Sequence, residues 1–322
     1  MRWLADGSEE TLRQALKAAA PWLDRYPITM REPVGRDEPL WRAGTATLGD
    51  EFVVKFAWSR PAALRIRHEI RVLTLLADDA DVPFLPEVYL RKADPVLLVT
   101  RRVTGSTLFD VVNSIDRDRA GVQLAQFVAA LHRRTTRRCV EVAIGDLPDA
   151  HQGPQHPTST TVLRDSFARW IDPKQQQRVK RWCTWADAAL AVPGPTVLVH
   201  ADLHGDNQVW HHDRLRLVVD FENVSVAEPE YDLRALPGTG PGVELLTATM
   251  QHYQRITDHQ LSVARVMAWH LRTALGDALW RSEAGIPLPD GRTPTDWVHD
   301  LSTRFTQLGI DPETQIADSD HR

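Results

Sequence analysis

The chain has 322 residues, of which 43% are hydrophobic and 25% are charged, and its formal net charge is -5. Its length exceeds that of a typical single-core domain and its composition is that of a globular protein, so the first expectation is two lobes. Two cysteines, Cys139 and Cys183, exclude a disulfide framework, and the lack of a long apolar run excludes a membrane-spanning helix.

The N-terminal third is predicted to be a small lobe rich in strands. Residues 8–20 have the spacing of a short helix that ends before Pro21. Segments rich in β-branched and apolar residues follow, and turn residues separate them. The predicted strands cover residues 28–33, 40–48, 51–58 and 96–103.

One of these strands contains a lysine among apolar residues. Lys55 lies within the run Phe-Val-Val-Lys-Phe, where a charge is out of place unless it is paired. In the helix predicted over residues 62–77, Glu69 falls on the apolar face. Because an unpaired buried charge is very costly, we predict an ion pair between Lys55 and Glu69. The neighbouring basic residues that are expected to point away from this face are Arg65, Arg67, His68 and Arg71.

The rest of the chain is predicted to be mostly helical. Residues 135–160 are rich in proline, glycine, histidine and threonine and indicate an irregular insertion, and residues 237–242 indicate a turn. Helical periodicity is found over residues 121–134, 161–171, 173–190, 243–256, 261–283 and 295–308. Three tryptophans in this part are predicted to lie in the core, namely Trp170, Trp182 and Trp185.

Residues 196–233 carry the polar groups that suggest chemistry. Two β-rich runs end at His200 and at Asp220. The loop after the first run carries Asp202 and, five positions on, Asn207. In kinases, an Asp and an Asn at this spacing accept the proton of the attacking hydroxyl and supply an oxygen to magnesium. Since Mg²⁺ prefers oxygen ligands, Asp220 would suit as its second protein ligand.

The motif H-x-D-x-x-x-x-N followed by D-F-E resembles that of the aminoglycoside phosphotransferase superfamily, small-molecule kinases related in fold to protein kinases and to choline kinase. The resemblance covers about residues 28–233. It implies an α+β, bilobal, protein-kinase-like fold with an antiparallel sheet and a helix in residues 1–103. Residues 104–322 would form a mostly helical lobe with the catalytic loop and the acceptor-binding region.

This resemblance also implies roles for single residues. Asp202 would be the catalytic residue, Asn207 and Asp220 would hold Mg²⁺, and Lys55, held by Glu69, would contact the nucleotide phosphates. Residues 34–39 stand where relatives carry a phosphate-covering loop, although they include two acids. Adenine would bind the backbone of the linker residues Thr100, Arg101, Arg102 and Val103. Supporting roles around the catalytic loop would fall to His200, Glu222 and Asp232.

The chain departs from the family pattern at two positions of the catalytic loop. Gly205-Asp206 replaces a Pro-Gly pair that is frequent in the family, so that Asp206 places an extra negative charge beside Asn207. Ala201 stands where a glycine is common.

The expected function is therefore a nucleotide- and Mg²⁺-dependent transfer of the γ-phosphate of ATP or GTP to a hydroxyl of a small polar molecule. By family analogy the acceptor is an aminoglycoside-type or other antibiotic, or an amino sugar. The alternatives are a kinase of choline or another amino alcohol, and a nucleotide-binding regulatory module without turnover. The intact set of Lys55, Asp202, Asn207 and Asp220 argues against the regulatory module.

Other partner classes are expected to be absent. Only nine residues separate Asp220 from Glu230, too few for the activation segment with which a protein kinase docks a peptide. The acidic balance argues against nucleic acid, and we expect a cytoplasmic protein without a membrane partner. Four acids near the C-terminus would suit a polycationic acceptor or equally form a solvated surface, namely Asp277, Glu283, Asp290 and Asp296.

Overall fold

The computed structural model describes residues 2–31, 42–78, 81–145, 147, 157–238 and 243–313. Within these ranges a five-stranded antiparallel sheet with one long helix is followed by a mostly helical part, which confirms the α+β, kinase-like fold class predicted from the sequence. The predicted loop over residues 34–39 lies outside the described residues, and the lobe boundary near residue 103 stays a prediction. No helix among the described residues is long and apolar enough to cross a membrane.

The sheet has the order β1-β2-β3-β5-β4, and every pair of neighbours is antiparallel. Its strands are β1 (Ile28–Met30), β2 (Gly44–Leu48), β3 (Phe52–Phe56), β4 (Val88–Ala93) and β5 (Val96–Arg101). Strand β4 is not predicted from the sequence; it lies at the edge of the sheet, and four of its six residues are exposed. Strand β5 has the opposite character, since its Val96–Val99 portion is buried on both faces.

A helix covers each face of this sheet. Helix α1 (Glu9–Ala19) packs on the face formed by Phe52, Val54 and Phe56 of β3. Helix α2 (Arg60–Asp78) packs on the other face, toward which Lys55 points, because side chains alternate along a strand.

Two residues of α2 do not point away as predicted. Arg65 and His68 are partly buried, and both contact residues 222–224 of the helical part. The prediction is wrong because only the apolar side chains were used to define the buried face of the helix. Next to the apolar face of α2, Arg65 and His68 form a partly buried polar face.

The helical part is built around two helices in close contact, α4 (Arg117–Leu131) and α9 (Glu244–Thr257). Helix α4 begins four residues before the predicted position, because the Asp116 side chain accepts the N–H groups of Asp118 and Arg119. The other helices are α3 (Leu108–Val111), α5 (Arg134–Ile144), α6 (Thr160–Ser166), α7 (Pro173–Leu190), α8 (Glu230–Leu233), α10 (Val263–Ala284) and α11 (Pro294–Gln307).

Two predictions for this part are wrong. The irregular insertion predicted from residue 135 is helical as far as Ile144, because Thr136 and Val140 are buried at helical spacing and the helix-breaking residues begin only at Gly145. Trp170 is 37% exposed, whereas Trp182 and Trp185 pack against Phe305 in the core as predicted. A 3₁₀ turn ends α6 early and buries Phe167 in place of Trp170.

Short strands frame the predicted catalytic loop. Strand β7 (Val197–Val199) pairs with β10 (Ser225–Ala227), and the sheet β6-β8-β9 consists of Ser106–Thr107, Gln208–His211 and Arg214–Val218. The two β-rich runs of the sequence are therefore not successive strands. The intervening β8 escapes prediction because it is short and half polar, although Gln208 and Trp210 are buried.

Close packing of α4 on α9 makes Gly121 sensitive to substitution. A Cβ atom there would lie 2.6 Å from Ala248 Cβ and 2.9 Å from the Ala248 carbonyl carbon. In an open helix, Gly→Ala gains about 1 kcal/mol. Here we expect Gly121→Ala to lose about 1–3 kcal/mol by overpacking. Denaturant unfolding should show a lower midpoint, whereas the exposed control Gln126→Ala should change stability by less than about 0.5 kcal/mol. A higher midpoint for Gly121→Ala would contradict the close contact.

Candidate active site

A buried ammonium group lies between carboxylates where the sheet meets the helical part. Lys55 Nζ is 2.8 Å from Glu69 Oε2 of α2 and 2.7 Å from Asp220 Oδ1, which follows β9. The alternation of β3 turns Lys55 toward α2, and Glu69 occupies a core position of that helix. The predicted ion pair is thus present, and Asp220 is a second partner of Lys55.

The charged groups of this cluster shift one another's pKa values. Burial alone would lower the pKa of Lys55, but the carboxylates of Asp220 and Glu69 outweigh it and raise the pKa above its usual value. Burial raises the pKa of Glu69 to about 7, against the opposing effect of Lys55. Burial also acts against ionisation of Asp220, but Lys55 prevails and lowers the pKa of Asp220. With Glu222, which pairs with Arg65, three carboxylates lie within 4.8 Å of one another and face two cationic side chains, so a further cation would suit the cluster.

One buried carboxylate anchors the backbone of the predicted catalytic loop. Asp232 of α8 accepts the N–H of His200 at 2.9 Å and the N–H of Ala201 at 2.8 Å, and His132 Nε2 lies 3.1 Å from it. Although burial opposes ionisation, the hydrogen bond from His132 lowers the pKa of Asp232. Ala201 has φ 66°, a left-handed conformation that favours glycine. Asp232 thus anchors a turn that an alanine adopts only with such support.

Both ring nitrogens of His200 are occupied within the loop. Nε2 lies 3.0 Å from the Val219 carbonyl oxygen, and Nδ1 accepts the N–H of Asp202 at 3.3 Å. These contacts require a neutral ring with its proton on Nε2. Burial lowers the pKa of His200 and favours this neutral form. His200 therefore has hydrogen bonds that fix the loop and no free nitrogen for proton transfer.

Hydrogen bonds connect the three residues that the sequence assigns to chemistry. Asn207 Nδ2 donates to the Asp202 carbonyl at 2.8 Å, and the N–H of Val219 donates to the Asn207 carbonyl at 2.9 Å. Asp220 is the next residue and has φ 71°. Because Nδ2 of Asn207 is engaged, Oδ1 is the side-chain atom left to bind a cation. Asn207 and Asp220 therefore come from adjacent loops and offer the oxygen ligands that Mg²⁺ prefers.

Two residues near Asp202 were not predicted from the sequence as members of the site. Asn223 Nδ2 donates to Asp202 Oδ2 at 3.2 Å, and Arg65 donates both to Asn223 Oδ1 and to the carboxylate of Glu222. Arg65 lies one helical turn before Glu69, and this spacing is the sequence signal that could have identified it. Nothing in the sequence pairs Asn223 with Asp202, since 21 residues separate them.

The linker residues Thr100, Arg101, Arg102 and Val103 lie at the end of β5 and just beyond it. The N–H of Arg101 donates to the Glu87 carbonyl at 2.9 Å, and that of Arg102 donates to the Glu51 carbonyl at 2.8 Å. These two N–H groups are engaged within the sheet and its flanks. Binding of adenine by the backbone of this segment stays a prediction.

The four C-terminal acids are all engaged with other residues of the chain. Asp277 pairs with Arg281, and Glu283 pairs with Arg169. Asp290 pairs with Arg292, and Asp296 accepts hydrogen bonds from Thr293 at the start of α11. These acids therefore give no support to a polycationic acceptor.

The chain matches one protein family and resembles several solved structures in fold. The model of the phosphotransferase enzyme family, APH, matches residues 32–277. A comparison with curated proteins finds no match. Among solved structures, the GDP complex of aminoglycoside 2'-phosphotransferase-IIIa aligns with a TM-score of 0.64 at 16% identity, over 92% of this chain and 96% of that chain.

Two further solved structures have similar folds. The macrolide 2'-phosphotransferase MphH from Brachybacterium faecium, an apoenzyme, has a TM-score of 0.57 at 21% identity, over 89% of this chain and 97% of that one. The streptomycin-ATP ternary complex of APH(2'')-IIa has a TM-score of 0.56 at 15% identity, over 95% and 98% of the two chains. At these identities the likeness shows the fold.

The ion-pair cluster generates a stability prediction. Lys55→Ala leaves Glu69 and Asp220 without the cation that they share and should lower the free energy of unfolding by about 3–5 kcal/mol. Glu69→Gln in the same background should recover part of the stability but not the activity. Denaturant unfolding of the two single variants and the double variant measures the coupling. The exposed control Lys92→Ala should change stability by less than about 0.5 kcal/mol, and strictly additive effects would show that Lys55 and Glu69 do not interact.

Proposed function

The chain belongs to the phosphotransferase enzyme family and is a small-molecule phosphotransferase, and we propose that it moves the γ-phosphate of ATP or GTP, with Mg²⁺, to a hydroxyl of an antibiotic-type acceptor. Solved structures of similar fold include aminoglycoside and macrolide phosphotransferases, some with bound GDP or ATP. The nucleotide would lie between the sheet of residues 1–103 and the helical part of residues 104–322.

One observation carries this proposal. Asn207 hydrogen-bonds the Asp202 carbonyl, the N–H of Val219 next to Asp220 donates to the Asn207 carbonyl, and Lys55 contacts the Asp220 carboxylate. A proton acceptor, two oxygen ligands for a cation and a positive charge for phosphate therefore belong to one connected unit. Phosphoryl transfer needs these groups, because its catalysis consists mostly of positioning and charge stabilisation.

The residues divide the work as follows. Asp202 accepts a hydrogen bond from the acceptor hydroxyl, directs its oxygen toward the γ-phosphorus and takes the proton as the new P–O bond forms. The bond from the γ-phosphorus to the β,γ-bridging oxygen breaks in the same step, and the nucleoside diphosphate leaves with that oxygen. Lys55 neutralises charge on the phosphate oxygens. Asn207 Oδ1 and the Asp220 carboxylate would hold Mg²⁺, which would supply charge neutralisation at the phosphates. His200 and Asp232 keep the loop in the geometry that these contacts require.

The acceptor class is the second part of the proposal. The engaged C-terminal acids remove the charge argument for a polycationic acceptor, so a less basic antibiotic such as a macrolide has equal standing with an aminoglycoside. Amino sugars and choline-like amino alcohols belong to the same test. A panel of all four classes, with ATP and with GTP as phosphate donors, identifies the acceptor. Nucleotide binding without transfer to any of them would favour a regulatory module.

Magnesium dependence tests the proposed metal ligands. Calorimetry with ATP and with GTP should show binding that weakens strongly when a chelator removes Mg²⁺. Asp220→Asn should abolish most of this dependence, because a carboxylate ligand is lost. Asp165→Asn is the control, since Asp165 is an exposed carboxylate on α6, outside the candidate site. Equal affinity with and without chelator in the wild type would remove Asn207 and Asp220 from the metal site.

The role of Asp202 has its own test. Asp202→Asn keeps the size of the side chain but loses its charge and its capacity to take the proton. With the acceptor found in the panel, the rate should fall by about 10²–10⁴-fold. The loss should appear in kcat more than in KM, because the interaction strengthens in the transition state. Nucleotide affinity should stay close to that of the wild type, and wild-type turnover by this variant would exclude Asp202 from the mechanism.

A further inference from the structure

Asn223 hydrogen-bonds the side chain of Asp202, the proposed catalytic residue. We propose that Asn223, itself held by Arg65 of α2, is a positioning residue that fixes the direction of the Asp202 carboxylate. This inference rests on the proposed function of Asp202. It concerns two residues outside the H-x-D, Asn and D-F-E positions, and one of them comes from the N-terminal part of the chain.

The contacts of Asn223 determine which way its amide points. Arg65 Nη2 lies 3.2 Å from one end of the amide, and Asp202 Oδ2 lies 3.2 Å from the other. A guanidinium group has only donors, so the amide oxygen must face Arg65. The amide nitrogen then faces Asp202, where an ionised carboxylate can only accept. A flipped amide would lose both hydrogen bonds, and Arg65 thus sets the polarity of the contact to Asp202.

Arg65 is itself fixed in place. Its side chain is 14% exposed and pairs with Glu222, whose side chain is 10% exposed. The turn Phe221–Asn223 is tied to the same helix, because the N–H of Phe221 donates to Glu69 Oε1 at 3.2 Å. His68 Nε2, one residue before Glu69, lies 2.9 Å from the Val224 carbonyl oxygen. Helix α2 therefore holds the turn that carries Asn223 at several points.

The contact divides the two oxygens of Asp202 between two tasks. Oδ2 is engaged by Asn223, which leaves Oδ1 for the acceptor hydroxyl, with His204 Nε2 at 3.7 Å from it. Without Asn223, the carboxylate could rotate about its Cβ–Cγ bond and lose the alignment that in-line transfer requires. A misplacement of about 1 Å at a reacting group can lower the rate about 100-fold.

The first test substitutes Asn223. Asn223→Ala should lower kcat about 10- to 100-fold, the effect of losing a hydrogen bond to a charged group. Nucleotide affinity should stay within about twofold, because no metal or phosphate ligand is removed. Turnover of ATP is measured with water, kanamycin and erythromycin as acceptors. The exposed Asn113→Ala is the matched control and should keep the wild-type rate. An unchanged kcat for Asn223→Ala would overturn the inference.

A second variant separates positioning from a structural role. Asn223→Asp keeps the shape of the side chain and gives Arg65 a charged partner, which offsets the repulsion from Asp202, so the melting temperature should change little. The new carboxylate would repel Asp202, and kcat should fall at least as far as in Asn223→Ala. A stable Asn223→Asp protein with wild-type kcat would show that Asn223 only anchors Arg65, which overturns the inference.

Arg65 is tested with its own control. Arg65→Met should lower kcat in the same direction as Asn223→Ala, whereas Arg65→Lys, which keeps the charge for Glu222 without the planar fork, should recover only part of the rate. Arg71→Met is the control on the same helix, because Arg71 is exposed and donates a hydrogen bond to the Ala143 carbonyl oxygen, away from Asn223 and Asp202. Equal losses in Arg65→Met and Arg71→Met would overturn the role of Arg65.

A double-mutant cycle decides whether Asn223 acts through Asp202. In the Asp202→Asn background, adding Asn223→Ala should change the residual rate by less than about threefold, because the group being positioned is already lost. Independent, multiplicative losses would overturn the inference. If Asp202→Asn loses turnover while Asn223→Ala keeps the wild-type kcat, this inference is overturned and the proposed function is not. Wild-type turnover in Asp202→Asn would overturn the proposed function as well.

Discussion

The ammonium group of Lys55 is the contact on which the structure of the site depends. It is the point where three elements with separate origins meet, since β3 supplies the lysine, α2 supplies Glu69 and the end of β9 supplies Asp220. None of these carboxylates would be stable as a buried charge without it. The sheet and the helical part are therefore joined by a charge arrangement as well as by the apolar core that runs from α2 to α4 and α9.

A second buried network holds the loop from the helical side. Tyr253 of α9 contacts His132 at the end of α4, His132 contacts Asp232, and Asp232 receives the two N–H groups of the loop. Networks of this kind restrict a polar region to one arrangement, because any partial disruption leaves a buried group without its partner. The loop thus combines a left-handed alanine with a rigid support, and contacts from outside the loop add to the hydrogen bonds within it.

The sequence predicts the Lys55–Glu69 ion pair better than it predicts several of the surrounding elements, and the catalytic and metal-binding roles stay predictions. Lys55 and Glu69 are predictable because a charge in an apolar pattern calls for a partner, and the loop because its polar residues have a characteristic spacing. Strand β4 and Trp170 are missed because edge strands and half-exposed aromatic residues carry no clear periodic signal. Arg65 and Asn223 are missed for a different reason, since their significance lies in a contact between distant segments.

The presence of Arg65 and Glu69 on one helix has a consequence for the tolerance of the site to motion. Glu69 holds the lysine proposed for the phosphate end of the reaction, and Arg65 holds the amide proposed to direct the acceptor end. Because the two residues are four positions apart on a rigid helix, a small shift of α2 displaces both supports together. Displacements of the phosphate-binding lysine and of the carboxylate that directs the acceptor are then correlated instead of independent. The separation between attacking oxygen and phosphorus, on which the rate depends most steeply, would vary less than the position of either end.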